Sequence, residues 1–280
     1  SEIWPNMFDN LKINKIPIIL LNGRITKKSF KRWMRFPDFA IKIFSKISLA
    51  MPQNTETSKY LKTLGVKKIK IAGNLKYFDQ SKNLLDNNTR KLFKNRLIFC
   101  AASTHYNEEL FIGKIHNELK LKYKNLLTII IPRHINRSKS IINELRHIDL
   151  KIITRSSKQK IAKSTDIYIA DTYGETSKFY GLSNITFVGG SLVHHGGQNP
   201  LEPARIGNYI LHGPNIQNFK EVYNMLSKLN ISSKVNNVFN MKKIVNKKIK
   251  YKQPLKVSNK LNLIGNNILK KNLNEINKYL

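Results

Sequence analysis

Residues Thr186 to Gly207 read TFVGGSLVHHGGQNPLEPARIG. The apolar run Ile185 to Val188 predicts a buried strand, and Gly189 and Gly190 end it where a Cβ would crowd the turn. Gly196 and Gly197 let the polar loop that follows fold tightly. Asn199-Pro200-Leu201-Glu202-Pro203-Ala204 then reads as the first turn of a helix, where proline's missing N–H has no partner to lose. Strand, glycine loop and helix N-terminus in this order suit an anion, because free N–H groups gather there. A plain, well-capped βα turn is the alternative.

The same rhythm runs outward in both directions. Upstream, Leu97 to Ala102, Leu126 to Ile131, Leu150 to Thr154 and Ile167 to Ala170 predict strands, with helices opening at Glu108 and Lys139 between them. Downstream, Tyr209 to His212 is a last strand before a helix over 216–229. Earlier still, Pro17 to Leu21, Ile47 to Ala50 and Val66 to Ile71 predict strands, and the abrupt start SEIWPN reads as the end of another. A helix capped at Asn54 or Thr55 runs to Leu64 and stops at Gly65. No hairpin signal occurs, so the sheets are expected to be parallel and doubly wound α/β. The polar, Asn-rich stretch 79–95 divides the chain into a first set (1–78) and a second (96–235), followed by a Lys/Asn-rich helical tail (236–280). One continuous sheet is the alternative.

A chain of 280 residues accommodates roughly two domains, and 41% hydrophobic residues exclude a disordered protein. The net charge of +33 points to an anionic partner: nucleic acid, a membrane surface or a phosphorylated substrate. Part of it reflects a general over-use of Lys, Asn and Ile, with the lysines scattered. Between Lys27 and Ser45, aromatic residues (Phe30, Trp33, Phe36, Phe39, Phe44) alternate with basic ones, and Pro37 splits the segment into two helices. Such a face suits anionic lipid, unless the rings are core and the lysines merely solvated. Cys100 is the only cysteine, which excludes a disulfide and implies a reducing compartment. No apolar stretch approaches the ~18 residues of a membrane span. The first residue is Ser1 rather than Met, as expected of the remainder of a longer protein.

The polar clusters of the second set all follow a strand: Ser103-Thr104-His105, Pro132-Arg133-His134, Asp171 to Glu175, and Asn199 to Glu202. That carboxyl edge is where doubly wound sheets bind ligands. Arginine and glycine turns suit a phosphate, and Glu202 suits ribose hydroxyls. The chain has neither GxxxxGK(S/T) nor GxGxxG, which excludes P-loop and nicotinamide enzymes. His194 and His195 are adjacent, not four apart, and no carboxylate stands at ligand spacing, so no metal is expected. His105 and His134 are read either as substrate contacts or as satisfied loop histidines.

The ordered motifs SEIWPN, AGNLK, AASTH, PRH, DTYGE and VGGSLV..GGQNPLEPA resemble the bacterial Kdo transferases (3-deoxy-D-manno-octulosonic acid transferases) of lipopolysaccharide synthesis, up to about residue 225. The resemblance implies a GT-B glycosyltransferase architecture of two Rossmann-like domains, the first incomplete here. It implies transfer of Kdo from CMP-Kdo to a lipid A precursor, with inversion and without metal, at the cytoplasmic face of the inner membrane. Carried over by motif, Pro132, Arg133, Tyr173, Gly174, Glu175, Asn199, Pro200, Leu201 and Glu202 contact CMP. Glu2 and Lys76 resemble the pair that stabilises the transition state. Tyr173 stands where the family usually has Met, and Gln198 where it has His. The family's general base, a Glu, and its membrane-anchoring helix correspond to sequence upstream of Ser1, so a missing N-terminal segment is the expected partner. The alternatives are another GT-B transferase using a UDP-sugar, or a basic nucleic-acid-binding protein, for which no signature is present.

Overall fold

A computed structural model describes residues 3–78 and 87–279. The chain divides into two compact units, residues 1–79 with 261–280 and residues 80–260.

The first unit opens with α1 (Pro5–Ile13), not with a strand end: Pro5 occupies the first helical turn, where no N–H is needed. Then come β1 (Ile19–Gly23), α2 (Lys27–Trp33), α3 (Pro37–Phe44), β2 (Leu49–Pro52) and α4 (Thr55–Thr63). β1 and β2 pair in parallel. Asn54 caps α4 by accepting from Thr57 N at 2.8 Å. The segment 27–45 answers both readings of its aromatics. Trp33 meets the buried Phe44 edge-on at 5.1 Å and Phe30 stacks on Tyr60 at 4.3 Å, whereas Phe36 and Phe39 stay exposed. The strand expected over Val66 to Ile71 shrinks to one bridge, Ala50 to Ile69. Lys67, Lys68 and Lys70 all point to solvent, so too little of that stretch is apolar enough to bury as a strand.

The second unit contains α5 (Asn87–Leu92), β3 (Leu97–Thr104), α6 (Glu108–Lys120), β4 (Leu126–Pro132), α7 (Ser138–Leu145), β5 (Ile152–Thr154), β6 (Ile167–Ile169), α8 (Thr176–Leu182), β7 (Ile185–Val188), α9 (Leu201–Ile206), β8 (Tyr209–His212), α10 (Lys220–Lys228), β9 (Ser232–Lys234) and α11 (Val238–Lys248). The strands form one sheet in the order β5-β6-β4-β3-β7-β8-β9. Every pairing is parallel. Alternation along β3 shows both faces covered. Phe99 and Ala101 face a core with α6, α7 and α11, while Ile98, Cys100 and Ala102 face one with Phe93, Phe179 and Tyr180. That is the doubly wound arrangement. Burial pushes the Cys100 thiol up to about 12, so it is an inert core residue.

α12 (Leu255–Ile276) falls across the same division, its residues from Leu261 counting with the first unit. The tail expected over 236–280 is therefore not one piece. Met241, Val245 and Ile249 join the core of the second unit, whereas residues 261–280 belong to the first. Of the linker expected over 79–95, residues 79–86 lie outside the described residues.

At the amino end of the sheet, Arg96 donates to four carbonyls, those of Asn125, Leu126, Ala162 and Thr165. His116 is fully buried between Thr128 Oγ1 at 2.8 Å and Asp166 Oδ1 at 3.4 Å. These groups hold the sheet together and leave the opposite edge for chemistry.

Candidate functional site

The chain leaves β3 towards β4 on one side and returns to β7 on the other, so the winding reverses between β3 and β7. Ligands of open parallel sheets bind at the carboxyl ends of the strands at such a reversal. His105 follows β3, Arg133 and His134 follow β4, and the loop 189–199 follows β7. The His105 and His195 rings stack with centroids 4.1 Å apart, and His134 meets His105 edge-on at 6.4 Å. Gln198 Nε2 lies 3.3 Å from His105 Nε2, which makes that ring nitrogen the acceptor of an amide N–H. Burial, then the nearby His195, His134, Arg137 and Arg133, holds His105 down to about 4. It is therefore a neutral imidazole at pH 7.

Arg133 is exposed, and its backbone N–H donates to Thr104 O at 3.0 Å, fixing the start of its turn. Arg137 is committed elsewhere, to Glu109 at 2.8 Å and Glu144 at 3.3 Å. Glu109 is fully buried, and burial raises its pKa even against that arginine.

Two expectations about backbone donors are corrected by the geometry. In the glycine loop, the N–H groups of Gly190 to Leu192 are not free. Gly190 N donates to Glu108 Oε2 at 2.7 Å, and Ser191 N and Leu192 N donate to Oε1 at 3.0 and 2.9 Å. The loop therefore already holds an anion, the protein's own carboxylate. The helix after it, α9, has only six residues, and Asn199 Oδ1 accepts the N–H of Leu201 at 3.1 Å. The first N–H of the helix is thus satisfied from within. Gly189 is at this place for the reason its sequence suggests, since a Cβ would lie 2.4 Å from Ser103 O.

The remaining residues named from the sequence are distributed as follows. Pro132, Pro200 and Leu201 are buried and can offer a ligand only their backbone. Tyr173 is 82% exposed, and Gly174 has a φ of +79° with open space where a Cβ would stand. Glu175 is paired with Arg155, a residue the sequence did not single out. Glu202 accepts from Ser177 Oγ at 2.6 Å. His194 and His195 are both exposed, and among the described residues no group of three or more metal-ligating side chains forms. The signal for Glu108 was present, since it opens α6 three residues after His105. Its partners at Gly190 to Leu192 lie more than 80 residues away, beyond the reach of local spacing.

In the first unit, Lys76 follows Asn74, whose Oδ1 accepts from Lys76 N at 2.9 Å, and Asn22 accepts from Leu75 N at 3.1 Å. Lys76 lines a cavity of about 390 Å³ with Asn22, Arg24, Ser29, Trp33 and Gln53, at the carboxyl ends of β1 and β2. Glu2 lies outside the described residues. No described helix is long and apolar enough to cross a membrane.

A family model described as 3-deoxy-D-manno-octulosonic-acid transferase (kdotransferase) matches residues 1–79. The 3-deoxy-D-manno-octulosonic acid transferase of Haemophilus influenzae is 37% identical over 81% of this chain and 54% of its own length. That of Rickettsia prowazekii is 33% identical over 85% of this chain and 52% of its own. The chain spans about half the length of these curated relatives. Among solved structures, the C-terminal CMP-Kdo binding domain of WaaA from Acinetobacter baumannii matches with a TM-score of 0.54 and 27% identity, over 65% of this chain and 96% of that domain. HepE of Anabaena, solved with UDP and glucose, matches 97% of this chain and 73% of its own with a TM-score of 0.55. Its identity is 9%, a likeness of fold, and it extends the GT-B architecture over both units. By sequence and by fold, this chain belongs to the family of 3-deoxy-D-manno-octulosonic acid transferases.

Proposed function

We propose that this chain transfers Kdo from CMP-Kdo to a lipid A precursor, as part of a GT-B glycosyltransferase of lipopolysaccharide synthesis. The observation that carries the reading is the match of 96% of a CMP-Kdo binding domain to this chain at 27% identity. The site agrees with it: Arg133 stands exposed at the carboxyl edge of β4, beside the reversal of winding.

In this reading Arg133 takes the phosphate of the donor, since a guanidinium fits two phosphate oxygens at once. The N–H groups of the Tyr173–Gly174 turn and the Glu202 carboxylate face cytosine and ribose. As the acceptor hydroxyl oxygen bonds to the anomeric carbon, its proton passes to a general base, the bond from that carbon to the phosphate oxygen breaks, and CMP leaves with the added charge. Lys76 stabilises developing negative charge from the cavity it lines, a role a fixed ammonium performs best where water is excluded. The reaction uses no metal ion. Phe36 and Phe39, exposed among Lys28, Lys31, Arg32, Arg35 and Lys42, give the first unit a face for the anionic inner surface of the membrane.

Calorimetric titration tests the reading, with CMP against UDP and an oligonucleotide of random sequence, with and without EDTA. CMP should bind at least about tenfold more tightly than either control, and EDTA should change nothing. Preference for UDP or for the oligonucleotide would overturn the assignment.

A further inference from the structure

We infer that Glu108 is a positioning residue of the donor site, fixing His105 and Gln198 across the point where the sheet reverses its winding. Only the last step, the effect on nucleotide, rests on the function proposed above. Glu108 is 1% exposed. Its charge is held by four backbone donors: His105 N at 2.9 Å and Gly190 N at 2.7 Å on Oε2, and Ser191 N and Leu192 N on Oε1. Successive N–H groups converging on one anion make a strong site. Here the anion is a side chain from α6, so the turn after β3 and the turn after β7 are joined through a single carboxylate.

What hangs on that joint is the imidazole cluster. The backbone of Gly190 lies against the His105 ring, where an added Cβ would be 3.2 Å from both Cδ2 and Nε2. Gly190 O accepts from Gly197 N at 2.7 Å, and Gly189 O accepts from Gln198 N at 3.2 Å, so the far end of the loop closes on Gly190, which Glu108 holds, and on Gly189 beside it. Tyr223 Oη donates to Gln198 O at 3.0 Å and completes the frame. Gln198 Nε2 then meets His105 Nε2, and His195 stacks on that ring. Glutamine at position 108 has almost the same shape but only one acceptor oxygen. Its NH₂ would confront two N–H donors in a dry site.

Two measurements decide the matter. Amide hydrogen exchange at Gly190, Ser191 and Leu192 should be slow in the free protein and unchanged by CMP. Fast exchange that CMP alone suppresses would mean that the loop waits for the ligand's phosphate, and the inference falls. In Glu108→Gln, the ring nitrogen resonances of His105 and His195 should shift while those of His116 and His212 stay, and CMP affinity should drop on the order of tenfold. A folded variant with unmoved His105 resonances and wild-type CMP affinity would make Glu108 a structural residue only. If Glu108→Gln does not fold, the exchange measurement on the wild type decides alone. A wild type that binds no CMP would sink the proposed function, while the exchange and ring resonances would still judge Glu108.

Discussion

Glu175 meets Arg155 side-on, with Nε and Nη2 of the guanidinium each 3.0 Å from a different carboxylate oxygen. Thr172 Oγ1 donates to the same carboxylate at 2.6 Å. The arginine's hydrogen bonds hold Glu175 below the usual carboxylate range. Both oxygens are thus engaged in shaping the turn that carries Tyr173 and Gly174.

Glu175→Gln and Arg155→Ala should each cost about 1–2 kcal/mol in urea unfolding, and the double variant little more than either alone. A double-mutant cycle in urea measures this. Additive losses would show that the two side chains act independently.

Arg133→Ala should weaken CMP by more than tenfold, equivalent to a loss on the order of 2–5 kcal/mol for a charge-assisted contact in a partly dry cleft. Thermal stability should hardly move, because the side chain is exposed. Unchanged affinity by calorimetry removes Arg133 from the site.

Glu202→Gln should impair CMP binding less than Glu202→Ala, because an amide oxygen still accepts one hydroxyl. Ser177→Ala, which removes the 2.6 Å donor to Glu202, should lower affinity mildly by freeing the carboxylate. Equal losses in the two Glu202 variants would reduce that residue to a helix-start carboxylate.

Burial drives His116 from its ordinary 6.5 down to about 4. The unfolded chain therefore takes up a proton that the folded one refuses. Stability contributed by neutral His116 is complete above pH 6.5 and is lost as pH falls towards about 4. The loss reaches about 3 kcal/mol at most. His105 titrates in the same window and adds to the slope. Urea midpoints between pH 7 and 4 should fall in the wild type and fall less steeply in His116→Leu, whatever that substitution costs at neutral pH. An unchanged slope would assign the acid loss to other groups.

Strands were legible where an apolar run ends at a glycine or a polar turn, and Tyr209–His212 keeps its expected bounds. β9 was not legible, since of Ser232, Ser233 and Lys234 only the first is buried. α11 buries Met241 and Val245, with Ile249 just beyond its end, at spacings of four, but the surrounding lysines and asparagines dilute that stripe. The shared edge of the polar clusters followed from strand ends alone, because in a parallel sheet every strand delivers its next residues to the same side. The state of its donors did not follow. Whether Gly190 N is free or bound depends on a carboxylate 82 positions upstream, and Glu175 depends on an arginine 20 positions away. Local pattern registers neither.

Residues 261–280 complete the unit that residues 1–79 begin. Gly265 of α12 lies so close to Tyr77 that a Cβ would come within 2.3 Å of its carbonyl oxygen. Tyr279 Oη donates to Ser48 O at 3.3 Å, joining positions 231 apart, and the Lys68 ammonium lies 4.8 Å from the centre of the Tyr279 ring. On the ribosome, residues 1–79 must therefore wait for residues 261–280 before their unit is whole, while residues 80–260 can close on themselves in between. A premature stop codon near Leu261 would then unmake the unit of residues 1–79 and spare the one just upstream of the stop.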